Sequence, residues 1–133
     1  MAHDFSRYKM AQYLDGGRGN GQYDCWGLVR EVLHEYYDVP ELESFGAVRA
    51  KDKLSMSKAA QELYDLFNEV VAQEGVLACV YVGELLWHVG VVIKVDGLLK
   101  VLHAGSAFGV MMQSVSVFEK LSDGTIRYYQ WRK

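Results

Sequence analysis

The chain has little of what a secreted, fibrous or nucleic-acid-binding protein needs. Among 133 residues there are two cysteines and one proline. A single disulfide is no framework for a domain of this size, so Cys25 and Cys79 read as thiols. One proline in a chain that is 50% apolar argues against a disordered chain. Basic residues are not in excess: a formal charge of -3 leaves no electrostatic footprint for nucleic acid or for an anionic membrane surface. Long apolar runs are missing too. The longest, Val76 to Val82, falls far short of the roughly 18 residues that a membrane-spanning helix needs. The opening Met-Ala-His-Asp-Phe-Ser-Arg lacks the parts of a secretory signal, so the expectation is synthesis in the cytoplasm and export, if any, by another route.

What is there is enough for one domain, 1–133, with a core of its own. Asp4 to Leu14 carries Phe5, Tyr8 and Ala11 at helical spacing and runs into Gly16-Gly17-Arg18-Gly19-Asn20-Gly21, a loop by composition. Asp24 is a good capping residue for the helix that follows. On that helix Cys25, Leu28, Val29, Val32 and Tyr36 form one stripe. Val39-Pro40 ends it. Lys51 to Ala72 returns to helical periodicity through Leu54, Ala60, Leu63, Leu66, Phe67 and Val70. From Gly75 onward the chain turns to β-rich runs: Val76 to Val82, Trp87 to Val95, Leu98 to His103, Val110 to Phe118 and Thr125 to Trp131. Helices first and hairpin-punctuated strands second predict an α+β domain with an antiparallel sheet.

Chemistry centres on Cys25. A thiol at a helix N-terminus faces the positive end of the peptide dipoles, which favours the nucleophilic thiolate. Asp96-Gly97 is a type I′ hairpin signal. With those two residues as the loop, Val95 opposes Leu98, Val92 opposes Val101 and Gly90 opposes His103. His88 and His103 then share one face as diagonal neighbours, and Gly90 leaves room beside their rings. In such a set one imidazole takes the thiol proton and a second polar group holds the first in the right tautomer. His34 lies nine residues after Cys25, on the far side of the helix, and reads as a solvated histidine. His3 sits near the terminus without an arguable partner. Cys79, inside an apolar run, reads as a buried structural thiol. Other readings stay open: Cys25 as core packing, the two histidines as a satisfied polar pair, or Cys25, His88 and His103 as zinc ligands.

The stretch Tyr13-Leu14-Asp15-Gly16-Gly17-Arg18-Gly19-Asn20-Gly21-Gln22-Tyr23-Asp24-Cys25-Trp26-Gly27-Leu28-Val29 resembles the signature of the NlpC-type cell-wall cysteine peptidases, papain-like enzymes that cut peptides in peptidoglycan. Trp87-His88-Val89-Gly90-Val91 is similar to that family's His-Val-Gly strand, and Leu102-His103-Ala104 to its closing His-Ala. Trp26 after the cysteine, and the ending Arg127-Tyr128-Tyr129-Gln130-Trp131-Arg132, are similar to a bacteriophage tail branch. The resemblance implies a papain-like fold, with N-terminal helices on a central antiparallel sheet of about five to six strands. It implies Cys25 as nucleophile, His88 as general base and His103 as orienting group, acting without a cofactor or metal through a thioester acyl-enzyme. Tyr13, Asp24, Trp26 and Trp87 fall at oxyanion or substrate-binding positions, although Tyr13 also reads as core filling. The implied partners are peptidoglycan stem peptides and other phage tail-tip proteins, and the implied setting is a virion tail acting in the cell wall. The alternatives are a structural tail-assembly protein, or an amidase or acyltransferase using the same triad. The chain departs from the family at Gly75-Val76, where Gly-Asp is usual, and 39–73 matches no part of the motif.

Overall fold

In a computed structural model that describes residues 3–132, helices pack against a six-stranded antiparallel sheet, an α+β architecture. Nine strands and three α-helices follow in chain order among the described residues: β1 (Gln12–Tyr13), β2 (Arg18–Gly19), β3 (Gln22–Tyr23), α1 (Cys25–Tyr37), α2 (Lys53–Gln61), β4 (Phe67–Val70), β5 (Leu77–Val82), β6 (Leu85–Val95), β7 (Leu98–Gly105), β8 (Gly109–Ser114), α3 (Val115–Leu121) and β9 (Thr125–Trp131). The large sheet has the order β4-β9-β5-β6-β7-β8, and β1, β3 and β2 form a small sheet ahead of α1.

The β6–β7 hairpin has the register that its turn dictates. Val95 pairs with Leu98, Val92 with Val101 and Gly90 with His103. Asp96 and Gly97 both take positive φ, 52° and 80°, as a type I′ turn requires. Side chains then alternate between two cores. One face sends Leu77, Cys79, Val89, Val91, Ile93 and Leu102 against the α1 residues Leu28, Val29, Val32 and Leu33. The other gathers Val76, Ala78, Val80, Val92 and Val101 under Phe118 of α3.

Three sequence expectations need correction. Asp4 to Leu14 is not one helix: a 3-10 turn covers Ser6–Met10 and the chain then extends as β1, where Gln12 N–H donates to Gly21 O and Leu14 N–H to Tyr23 O. The run Lys51 to Ala72 is helical only through Gln61. Phe67 and Val70 belong to β4, whose pairing with β9 sets Phe67 opposite Trp131. Here the free edge of β9 outweighs helical periodicity, a tertiary override of local preference. Val110 to Phe118 is strand only as far as Ser114, whose Oγ accepts Val117 N–H and opens α3. No described helix is long and apolar enough to cross a membrane.

Candidate active site

Local chemistry fixes the head of α1. Asp24 caps it, with Oδ1 accepting Gly27 N–H at 2.8 Å and Oδ2 paired to Arg18 at 2.6 Å. Gly17 O accepts Asp24 N–H at 3.1 Å, tying the glycine loop to the cap. Position 27 must be glycine for a steric reason: a Cβ there would stand 2.1 Å from Gly17 O. The loop therefore closes tightly over the first helical turn, and Cys25 is held with its side chain against β6. With both carboxylate oxygens committed and only 1% exposed, Asp24 is a positioning group, not one that reaches into a cleft.

The hairpin supplies the imidazoles. His88 Nε2 and His103 Nδ1 are 2.9 Å apart, so the ring nitrogen of His88 left free is Nδ1. His103 Nε2 lies 2.8 Å from Gln113 Oε1 on β8. The rings of Phe108 and Phe118 stand 4.8 and 4.9 Å from His103, closing both flanks. A side chain at Gly90 would crowd this pair, because its Cβ would meet Val101 Cγ1 at 2.6 Å and His103 Cβ at 3.2 Å.

Beside His88 the ladder is irregular. Val80 pairs with His88 but Tyr81 pairs with Leu86, so Trp87 is the extra residue of a β-bulge. The carbonyl of this unpaired residue accepts Lys53 Nζ at 2.6 Å, and the same ammonium sits 4.9 Å from the Trp87 ring centroid. The bulge thus docks the first turn of α2 on the strand that carries His88. Residues 39–73, which match no part of the motif, form part of the wall of the site through Ala50, Lys51 and Lys53.

A cleft of about 690 Å³ joins these parts. Tyr13, Cys25, Lys53, Trp87, His88, His103 and Gln113 all line it. Cys25 approaches from the α1 face, while the imidazoles contact Phe118 on the α3 face. Among the described residues no hydrogen bond joins the thiol to either ring. Trp26 instead lines an apolar cavity of about 60 Å³ behind the thiol and donates its Nε1–H to Glu43 O.

Electrostatics correct the thiolate expectation for this resting arrangement. Burial, then the charge of Asp24, pushes the Cys25 thiol up to about 11 against the opposing pull of the Val89 and Trp26 N–H groups and of Lys53. Burial, His103 and Lys53 hold His88 down at about 3. Burial also lowers His103, with Gln113 opposing, and raises Tyr13, which keeps its phenolic proton as a hydrogen-bond donor. The Trp26 N–H at the helix head and the Val89 N–H on β6 stabilise sulfur's charge, but desolvation outweighs them. At neutral pH the cleft holds a neutral thiol and a neutral imidazole. Such a pair can perform nucleophilic chemistry when proton transfer accompanies attack.

Of the other sequence candidates, Cys79 is buried and unbridged, and His34 is exposed with Nδ1 2.8 Å from Val39 O. His3 packs edge-on against Tyr36 and Tyr37. Among the described residues no three His, Cys, Asp or Glu side chains converge as a metal cage, and the facing nitrogens of His88 and His103 already bond to each other. Gln113 and Lys53 escaped the sequence reading. The one visible trace of Gln113 was a polar residue in the otherwise apolar Val110-Met111-Met112. Comparison of the chain with protein-family models, with curated proteins and with solved structures finds no match.

Proposed function

We propose that this chain is a papain-like cysteine peptidase of the NlpC type that hydrolyses peptide bonds in bacterial peptidoglycan. The observation that carries the reading is the hydrogen-bonded pair His88–His103, opening on the same cleft as a thiol held at the head of a helix. In this scheme Cys25 Sγ attacks the scissile carbonyl carbon while its proton passes to His88 Nδ1. The negative charge gathers on the carbonyl oxygen, beside the Cys25 N–H and the Tyr13 hydroxyl. One donor aimed at that charge is worth about 100- to 1,000-fold in rate. Collapse breaks the C–N bond. The leaving amine takes the proton from His88, and a thioester to Cys25 remains. Water, deprotonated by His88, then cleaves the thioester to a carboxylic acid and restores the thiol.

The buried, neutral pair suits this order of events, because charge appears only when a substrate carbonyl is present to receive it. Exposed Trp87 and half-buried Lys53 make the rim that a stem peptide meets first. In this reading the setting is a phage or prophage tail that delivers the domain to the cell wall, with other tail-tip proteins as neighbours. The missing hydrogen bond between thiol and imidazole favours a second reading, in which the fold serves tail assembly without catalysis. One assay separates them. Purified protein and its Cys25→Ala variant are incubated with peptidoglycan, and released muropeptides are identified by mass spectrometry. Release by the wild type alone supports the peptidase and identifies the bond. Equal release by both removes Cys25 from the mechanism, and release by neither favours the assembly reading.

A further inference from the structure

Resting on the peptidase reading, we propose that Gln113 is a positioning residue that sets the direction of the hydrogen-bond chain Gln113–His103–His88 and so selects the tautomer in which His88 can act as base. The argument is one of counting protons. Gln113 Oε1 has no hydrogen to give, so the 2.8 Å contact requires the proton on His103 Nε2. A neutral His103 then has a bare Nδ1, and the 2.9 Å contact requires that His88 donate from Nε2. A neutral His88 protonated at Nε2 has a bare Nδ1, the nitrogen that must accept the thiol proton. Turning the amide over reverses every step. The Gln113 NH₂ group would donate to His103 Nε2, His103 Nδ1–H would donate to His88, and His88 would carry its proton on Nδ1, where it cannot serve as base.

The surroundings leave Gln113 in control. His103 is only 4% exposed and its ring is flanked by Phe108 and Phe118, which restricts solvent near Nε2. Gln113 is held on β8 opposite Val101, diagonal to His103, and Ser114 immediately after it caps α3. The side chain is half-buried at the cleft, so its NH₂ group can face water while Oε1 faces the ring. Neutrality of both imidazoles matters here, since a doubly protonated ring has no tautomer to select.

The test compares wild type with Gln113→Glu, an acceptor without donors, and Gln113→Met, of similar length and neither donor nor acceptor. Protein labelled with ¹⁵N in its histidines is examined by NMR at mildly alkaline pH, where a bare ring nitrogen resonates well downfield of a protonated one. The expected wild-type pattern is a bare Nδ1 and protonated Nε2 on His88, with the same on His103. Gln113→Glu keeps the pattern and most of the wild-type kcat. Gln113→Met loses the single pattern and about 10- to 100-fold in kcat with KM little changed, by analogy with removal of the hydrogen-bond partner that orients a metal-bound histidine. Thermal unfolding establishes that both variants fold. A proton on His88 Nδ1 in the wild type, or a Met variant with unaltered tautomers and kcat, overturns the proposal. The spectra need no substrate, so they decide the role of Gln113 even where peptidoglycan is left uncut, an outcome that counts against the peptidase reading alone.

Discussion

The head of α1 and the middle of β5 each hold a buried thiol, and they differ in what each can reach. Cys25 is 1% exposed and Cys79 3%, both line the same apolar cavity, and burial is the first cause raising both, to about 11 and about 12. Only Cys25 also borders the outer cleft, and only Cys25 has backbone N–H groups, those of Trp26 at the helix head and Val89 on β6, and an ammonium acting on it, where Cys79 has the Tyr81 hydroxyl. Depth therefore does not distinguish a candidate nucleophile from a core thiol in this protein. Access from the cleft does.

Removing each thiol in turn breaks the comparison most sharply. Cys25→Ala is expected to lower muropeptide release by more than about 10⁴-fold, as for loss of a nucleophile acting within a unit. Cys79→Ala should release muropeptides at close to the wild-type rate. Equal losses would mean that position in the cleft confers nothing. Next in size is the cap that holds Cys25 in place. Asp24→Ala removes the helix cap and leaves Arg18 without its buried partner, which together cost about 3 kcal/mol, read as a lower urea midpoint. Asp24→Asn, which can still accept Gly27 N–H, should lose less. Gly27→Ala, which drives a Cβ into Gly17 O, is expected to cost about 1 to 3 kcal/mol and to slow release by displacing the helix head.

Proton linkage sharpens the comparison without mutation. Both thiols lie above their ordinary value of 9.0, so the folded state keeps protons that the unfolded chain has lost. Their contribution to stability is complete below pH 9.0 and is lost as pH rises through about 11 and then about 12. His88 has the opposite sign. Its folded value of about 3 lies below 6.5, so its contribution is complete above pH 6.5 and is lost as pH falls toward about 3. Unfolding midpoints against pH check both limbs, and a His88→Gln variant should lose much of the acid one. Alkylation separates the thiols directly. Cys25 should react slowly at neutral pH and faster as pH rises toward 11, with Cys79 well behind because it lacks the cleft. A Cys25 that reacts rapidly at neutral pH would show that the resting thiol is already ionised. The smallest effect belongs to the core: Cys79→Ala should cost about 1 kcal/mol, the scale of one buried methylene-sized deletion.

The hairpin was legible because its information is local. Asp96-Gly97 specifies the turn, the turn specifies the register, and period-two alternation carries His88 and His103 to one face. The glycine loop, the Asp24 cap and the α1 stripe were legible for the same reason. Phe67 and Val70 were misread as helix because their partner, β9, lies some sixty residues further on. Lys53 was missed because its place in the site depends on a bulge at Trp87 that no period announces. Gln113 was missed because a glutamine in a strand carries no signal until β7 and β8 are paired.

By itself, then, the order of amino acids determined which groups stand at the helix head and on the hairpin face, since turns, caps and alternation are properties of short backbone segments. Tertiary structure alone decided how acidic the thiol is, which nitrogen of His88 is free, and that Gln113 completes the chain behind it. Desolvation and hydrogen bonding sum over groups that meet only after folding, and the sum over Cys25 reversed the effect expected from its helix alone.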